Sequence, residues 1–196
     1  MKKWFVLLIL VATGWWLLRD EPAKWKGIPA AAEPIQTSKD LPAPFRHGEY
    51  LITPLATYSI KAIALSRDHY RFDPAAKLAP LDLALGWKSM SISSVINDLK
   101  ITQSARWYEY SWRGEAPLEP TQIAQQSANT HCIPADKNIE RQLMSIRRHD
   151  LVMLEGYLVE VTGPNGWHWR SSLTRDDTGG GACEVLFITS LTRRKL

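Results

Sequence analysis

Fifteen consecutive residues, Trp4 to Leu18, read WFVLLILVATGWWLL without a charged side chain, with Lys2 and Lys3 before them and Arg19 directly after. As a helix rising about 1.5 Å per residue, the run spans roughly 22 Å, short of the ~30 Å of bilayer hydrocarbon. That length alone suits a cleaved export signal. The flank does not: Arg19-Asp20-Glu21-Pro22 and Lys24-Trp25-Lys26 offer no small-residue cleavage site, and Ala30-Ala31-Ala32 comes too late. Lysine and arginine stems can reach the headgroups, and Trp4, Trp15 and Trp16 suit the interface, so the span stretches at both ends. The expectation is a retained signal-anchor over residues 1–19. The lipid bilayer is then the first partner, through residues 4–18. The short basic N-terminus points to a single-pass protein of a bacterial inner membrane with its C-terminal domain in the periplasm.

Beyond the anchor, residues 20–48 are rich in alanine and proline (Pro22, Pro29, Pro34, Pro42, Pro44) and read as a semi-extended tether. Residues 49–192 suffice for one globular domain, and 193–196 form a basic tail. With 45% hydrophobic and 22% charged residues and a net charge of +4, the chain is globular and only mildly basic. No basic stripe follows a nucleic-acid backbone, so nucleic acid is not the favoured partner. Arg193-Arg194-Lys195 reads first as a solvated tail, with contact to anionic lipid as the alternative.

Alternating residues predict strands over Glu49–Leu55, Thr57–Ser66, Ile101–Trp112, Leu151–Thr162, Trp167–Thr174 and Cys183–Leu191. Apolar residues at helical spacing predict short helices over Ser91–Leu99, Thr121–Ala128 and Asp136–Arg147, the last capped by Asp136. Pro164-Asn165-Gly166 and Asp177-Thr178-Gly179 are turn signals that would make the last three strands a meander. The sum is an α+β, β-rich domain of five or six mostly antiparallel strands with about three short helices. An OB-like, partly open barrel is the first architecture. A sheet with helices on one face is the second.

Polar chemistry concentrates between Gly166 and Glu184. Period two puts Trp167, Trp169 and Ser171 on one strand face and His168, Arg170 and Ser172 on the other, a possible ligand platform, with Tyr108, Tyr110 and Trp112 as a second aromatic face. Core packing of the tryptophans is the simpler reading of that pattern. His131 with Cys183 or Ser171, and Asp176, are candidate catalytic groups. His131 and Cys132 fall in what reads as a loop. Asp177-Thr178-Gly179 matches the aspartic-protease tripeptide, but Arg175-Asp176 before it replaces the apolar strand that chemistry needs. His131, Cys132, His168 and Cys183 lack metal-ligand spacing, so neither a metal nor another cofactor is expected. Cys132 and Cys183 could form a disulfide in an oxidising compartment.

Four segments, GWKSMS from Gly86, SANTHCIPAD from Ser127, GYLVEV from Gly156 and GWHWRSSLTRDDTGGGACE from Gly166, together resemble a family of short membrane-anchored proteobacterial proteins. That resemblance implies the inner-membrane setting and carries no activity, substrate or site residue. The expected function is a periplasmic binding or assembly module that contacts an envelope protein or a glycan. An envelope hydrolase or thiol enzyme is the first alternative, and OB-like nucleic-acid binding by a cytoplasmic domain the second.

Overall fold

Tyr50–His69, with small and branched residues alternating in burial, forms a single twenty-residue strand around which the rest is built. The computed structural model describes residues 21–174 and 182–196; the apolar run Trp4–Leu18, Asp176 and the Asp177-Thr178-Gly179 turn lie outside the described residues. Among the described residues no helix is long and apolar enough to cross a membrane.

The strands are β1 (Ile35–Thr37), β2 (Phe45–His47), β3 (Tyr50–His69), β4 (Leu81–Gly86), β5 (Leu99–Ser104), β6 (Trp107–Trp112), β7 (Ser127–Pro134), β8 (Leu151–Thr162), β9 (His168–Arg170) and β10 (Glu184–Arg194). The α-helices are α1 (Ser93–Asn97), α2 (Pro120–Gln125) and α3 (Lys137–Ser145). The domain is thus β-rich and mostly antiparallel with three short helices. Two register shifts, at Pro54/Ala56 and Ala64/Ser66, bend β3 so that its first two thirds pair with β8 and its end with β4. Pairing continues β4–β7, β7–β10 and β10–β8, so five strands close a ring in the order β3-β4-β7-β10-β8. Among the described strands only β7 and β10 run parallel.

One face of these strands supplies the main core, with Ala62, Leu83, Cys132, Leu154, Leu158 and Leu186 among its buried members. A smaller cluster around Ile52, Leu78, Ile133, Val161, Val185 and Phe187 lies under β2 and the segment after β3. Gly156 marks a close approach of β8 to β10. A Cβ there would sit 1.9 Å from the Phe187 carbonyl oxygen.

Several expectations need correction. Residues 21–48 are no free tether: Ala23 and Ala30 are buried, and β1 and β2 pair with the edge of β3 that β4 leaves open. Such brief docking contacts leave no periodicity in the sequence. Ile101–Trp112 is not one strand but the hairpin β5–β6, which turns at Ala105 and Arg106 with φ of 49° and 69°. Left-handed turns usually call on Gly or Asn, so neither residue announced this one. Ser127–Pro134 is no loop; all eight residues of β7 are buried. The final strands are no meander, because β8 lies between β9 and β10. The Asp136 cap stands, with its carboxylate accepting from the Asn138 and Ile139 amides at 2.7 and 2.9 Å.

Candidate functional site

Three connections converge at one end of the ring: the segment after β3, the β5–β6 turn and the passage from β8 through β9 to β10. They enclose a cavity of about 570 Å³ whose lining includes Asp73, Arg106, His131, Trp169, Arg170 and Cys183. Its floor comes from facing strands. Asp82 on β4 is directly opposite His131 on β7 and fully buried, and the two share a strand face because they are in register. His131 Nδ1 lies 2.9 Å from Asp82 Oδ2, within ion-pair distance but not aligned as a hydrogen bond.

Arg106 completes the floor from above. Its Nη1 donates to Asp82 Oδ1 at 2.9 Å and its Nη2 to Asp73 Oδ1 at 2.8 Å. The guanidinium sits 3.9 Å over the Tyr70 ring, and the Trp169 ring lies 4.4 Å from the His131 ring. Arg106 holds the Asp73 carboxyl below the usual carboxylate range. Burial, with Asp82 nearby, pushes the Tyr70 phenol up, so it stays neutral. The left-handed conformation of Ala105 and Arg106 costs roughly 1 to 2 kcal/mol per residue, and the two charge-assisted bonds of Arg106 offset that cost. Asn129 fixes the turn by donating to the Arg106 carbonyl at 2.9 Å and contacting Cys183 Sγ at 3.6 Å.

Aromatic side chains rim the opening. Trp107 is 50% exposed and Trp167 36%. Phe72, outside the lining but next to Asp73, is 98% exposed. At the outer wall Glu160 on β8 accepts from Arg170 and meets His168 Nε2 at 2.6 Å, and these contacts, His168 first, hold its carboxyl low. Every cation of the described lining therefore faces a carboxylate.

The structure gathers His131, Cys183, Trp167, His168, Trp169 and Arg170 at this one cavity, and leaves other candidates out. Ser171 is buried as a structural link, receiving the Val185 amide at 3.1 Å and donating to the Ser172 carbonyl at 2.8 Å. Tyr108, Tyr110 and Trp112 pack on the main core from the opposite face of β6 to Trp107, and burial raises the Tyr108 phenol. The two cysteines are not bridged. Cys183 precedes β10 in register with Asn129 while Cys132 pairs with Leu186, three residues further along. That offset separates them by roughly 10 Å along the strands, too far for a disulfide. Burial pushes the Cys132 thiol well up. Adjacent His131 and Cys132 point to opposite faces, which breaks the tetrad weighed above, and no group of three metal-ligating side chains occurs among the described residues. Asp82 and Arg106, the centre of the site, escaped the sequence reading. An aspartate amid the leucines and alanines of LDLAL was the available signal for Asp82.

Comparison of the chain with protein-family models, curated proteins and solved structures finds no match.

Proposed function

We propose that this chain is a membrane-anchored binding module of OB type, displayed in the bacterial periplasm, that holds a segment of an envelope protein in the cavity between β4, β7 and the loops above them. The strand order β3-β4-β7-β10-β8, with one parallel pair and with α3 between β7 and β8 in the chain, supports the OB reading. The OB architecture binds ligands on the face of its second and third strands, between the loops joining strands one to two and four to five. Here β7 and those two loops line the cavity together with the β5–β6 turn, above the buried Asp82 of β4.

The observation that carries the proposal is the rim. Trp107 and Trp167 stand exposed at the mouth of a cavity whose floor is polar and buried, the arrangement of tryptophan and arginine anchors that dominates protein interfaces, and Phe72 is exposed one residue before the lining residue Asp73. Benzoylphenylalanine placed at Phe72 in the intact envelope tests it. The expected result is one discrete protein adduct that Trp107→Ala abolishes, with none from Ile35, which is also exposed, on β1. Adducts that ignore Trp107, or appear equally from Ile35, overturn it. The paired cations count against nucleic acid, whose phosphates need uncommitted ones.

A thiol enzyme is the second reading, favoured because His131, within ion-pair distance of Asp82, shares the cavity with Cys183. Iodoacetamide at neutral pH decides it: rapid alkylation of Cys183 that slows in His131→Ala supports the enzyme, and equal rates dismiss it.

A further inference from the structure

The end of the ring opposite the cavity carries a cluster of basic side chains. Lys24, Arg147, Arg148, Arg193 and Lys195 line a second cavity of about 540 Å³, with Glu21 and Asp150 as its acidic members. Asp150 is committed, accepting from Arg193 Nη1 at 2.9 Å and from the Arg147 amide at 2.8 Å. Three separate stretches of chain contribute: the residues after the apolar run, the link from α3 to β8, and the end of β10. Arg194 adds a further exposed cation beside them.

The N-terminal stretch is bolted there. The Ala23 amide donates to Asn97 Oδ1 at 2.8 Å, and Asn97 Nδ2 returns a bond to the Ala23 carbonyl at 2.9 Å. Trp25 Nε1 donates to the Ser91 carbonyl at 2.8 Å, and its ring meets the His149 ring edge-on at 5.8 Å. From Leu18 to Ala23 is five residues, which reach at most about 18 Å when fully extended. A domain anchored by Trp4–Leu18 is therefore held with this end toward the bilayer, at a height comparable to a Debye length or two.

We infer that the basic end of the domain is a docking surface for the anionic phospholipid headgroups of the membrane in which the chain is anchored. The inference rests on the anchor reading of Trp4–Leu18. Charge complementarity and the short, fixed approach of the chain argue for that occupant. Docking there directs the aromatic cavity away from the membrane.

The full chain is floated with vesicles of phosphatidylcholine alone or with phosphatidylglycerol added, and amide exchange is followed at residues 147–150 and 193–195. Flotation with both vesicles, with exchange of these amides slowed about fivefold only on the anionic ones, is the expected result; that factor is what one Lys or Arg contributes near such a surface. Arg147→Glu with Lys195→Glu should remove the protection without moving the exchange of residues 106–112. Flotation with both and no difference in exchange overturns the docking surface and leaves the anchor standing. Flotation with anionic vesicles alone supports docking and overturns the anchor, and flotation with neither overturns both. The same protection from inorganic phosphate without vesicles would mark a free-anion site and overturn the lipid assignment.

Discussion

The two ends of one five-stranded ring use arginine in opposite ways. At the cavity end Arg106 is clamped between Asp73 and Asp82 and stacked on Tyr70, its charge spent on holding a turn and a polar floor. At the other end Arg147, Arg193, Arg194 and Lys195 are exposed, with a single buried aspartate among them. A cation enclosed by carboxylates builds a shape; cations left in water make a field. β8 and β10 run between the two ends, and eleven residues of a tilted strand in β10 set them roughly 25 Å apart along the axis of the ring.

Arg106→Ala should break the comparison hardest. It leaves the buried Asp82 with His131 alone in place of the guanidinium that donates to it, at an expected cost of about 3 to 5 kcal/mol in chemical denaturation. Arg106→Gly loses the same charge but relaxes the left-handed turn, and should recover about 1 kcal/mol of that loss. Equal stability of the two variants would show that the turn is unstrained. Gly156→Ala attacks the strand pair linking the ends. Its methyl would strike the Phe187 backbone, which cannot swing aside, and a loss of about 3 kcal/mol is expected from the thermal midpoint.

Asp136→Ala should act on the basic end alone. It removes the cap of α3, the helix that leads into Arg147–Asp150, for about 1 kcal/mol. Amide exchange should rise in 137–146 and stay unchanged in 127–131. Acidification acts on the cavity end with the smallest effect. The folded-state carboxyls of Asp73 and Glu160 lie below their usual range, so their contribution is present above about pH 4 and is lost as the pH falls through the lowered values. Both are partly exposed, and solvent screens them. A modest fall in denaturation midpoint between pH 5 and pH 3, diminished in Asp73→Asn, is the expected result.

What the sequence made legible was whatever period two or a cap could write. The strand of Leu151–Thr162, the Asp136 cap and the aromatic strand His168–Arg170 are all visible there, as is the β-rich class. β7 was not, because a strand buried on both faces has no alternation, and SANTHC places Ser, Asn, Thr and His where a core strand usually carries aliphatics. The docked segment 21–48 was hidden for a related reason. Isolated contacts such as Trp25 to Ser91 join residues 66 apart, and no local pattern encodes them. Of the site, the β9 side could be read, whereas Asp82 and Arg106 meet only because a non-glycine turn folds back over the ring.

The arrangement itself is open to one direct measurement. A fluorescent amino acid is placed at position 72 or at position 195 of the full chain in vesicles carrying headgroup acceptors, and energy transfer is compared. Strong transfer from position 195 and weak transfer from position 72 is the predicted result, with the aromatic rim held outward from the bilayer. Equal transfer from both positions, or stronger transfer from position 72, would contradict it.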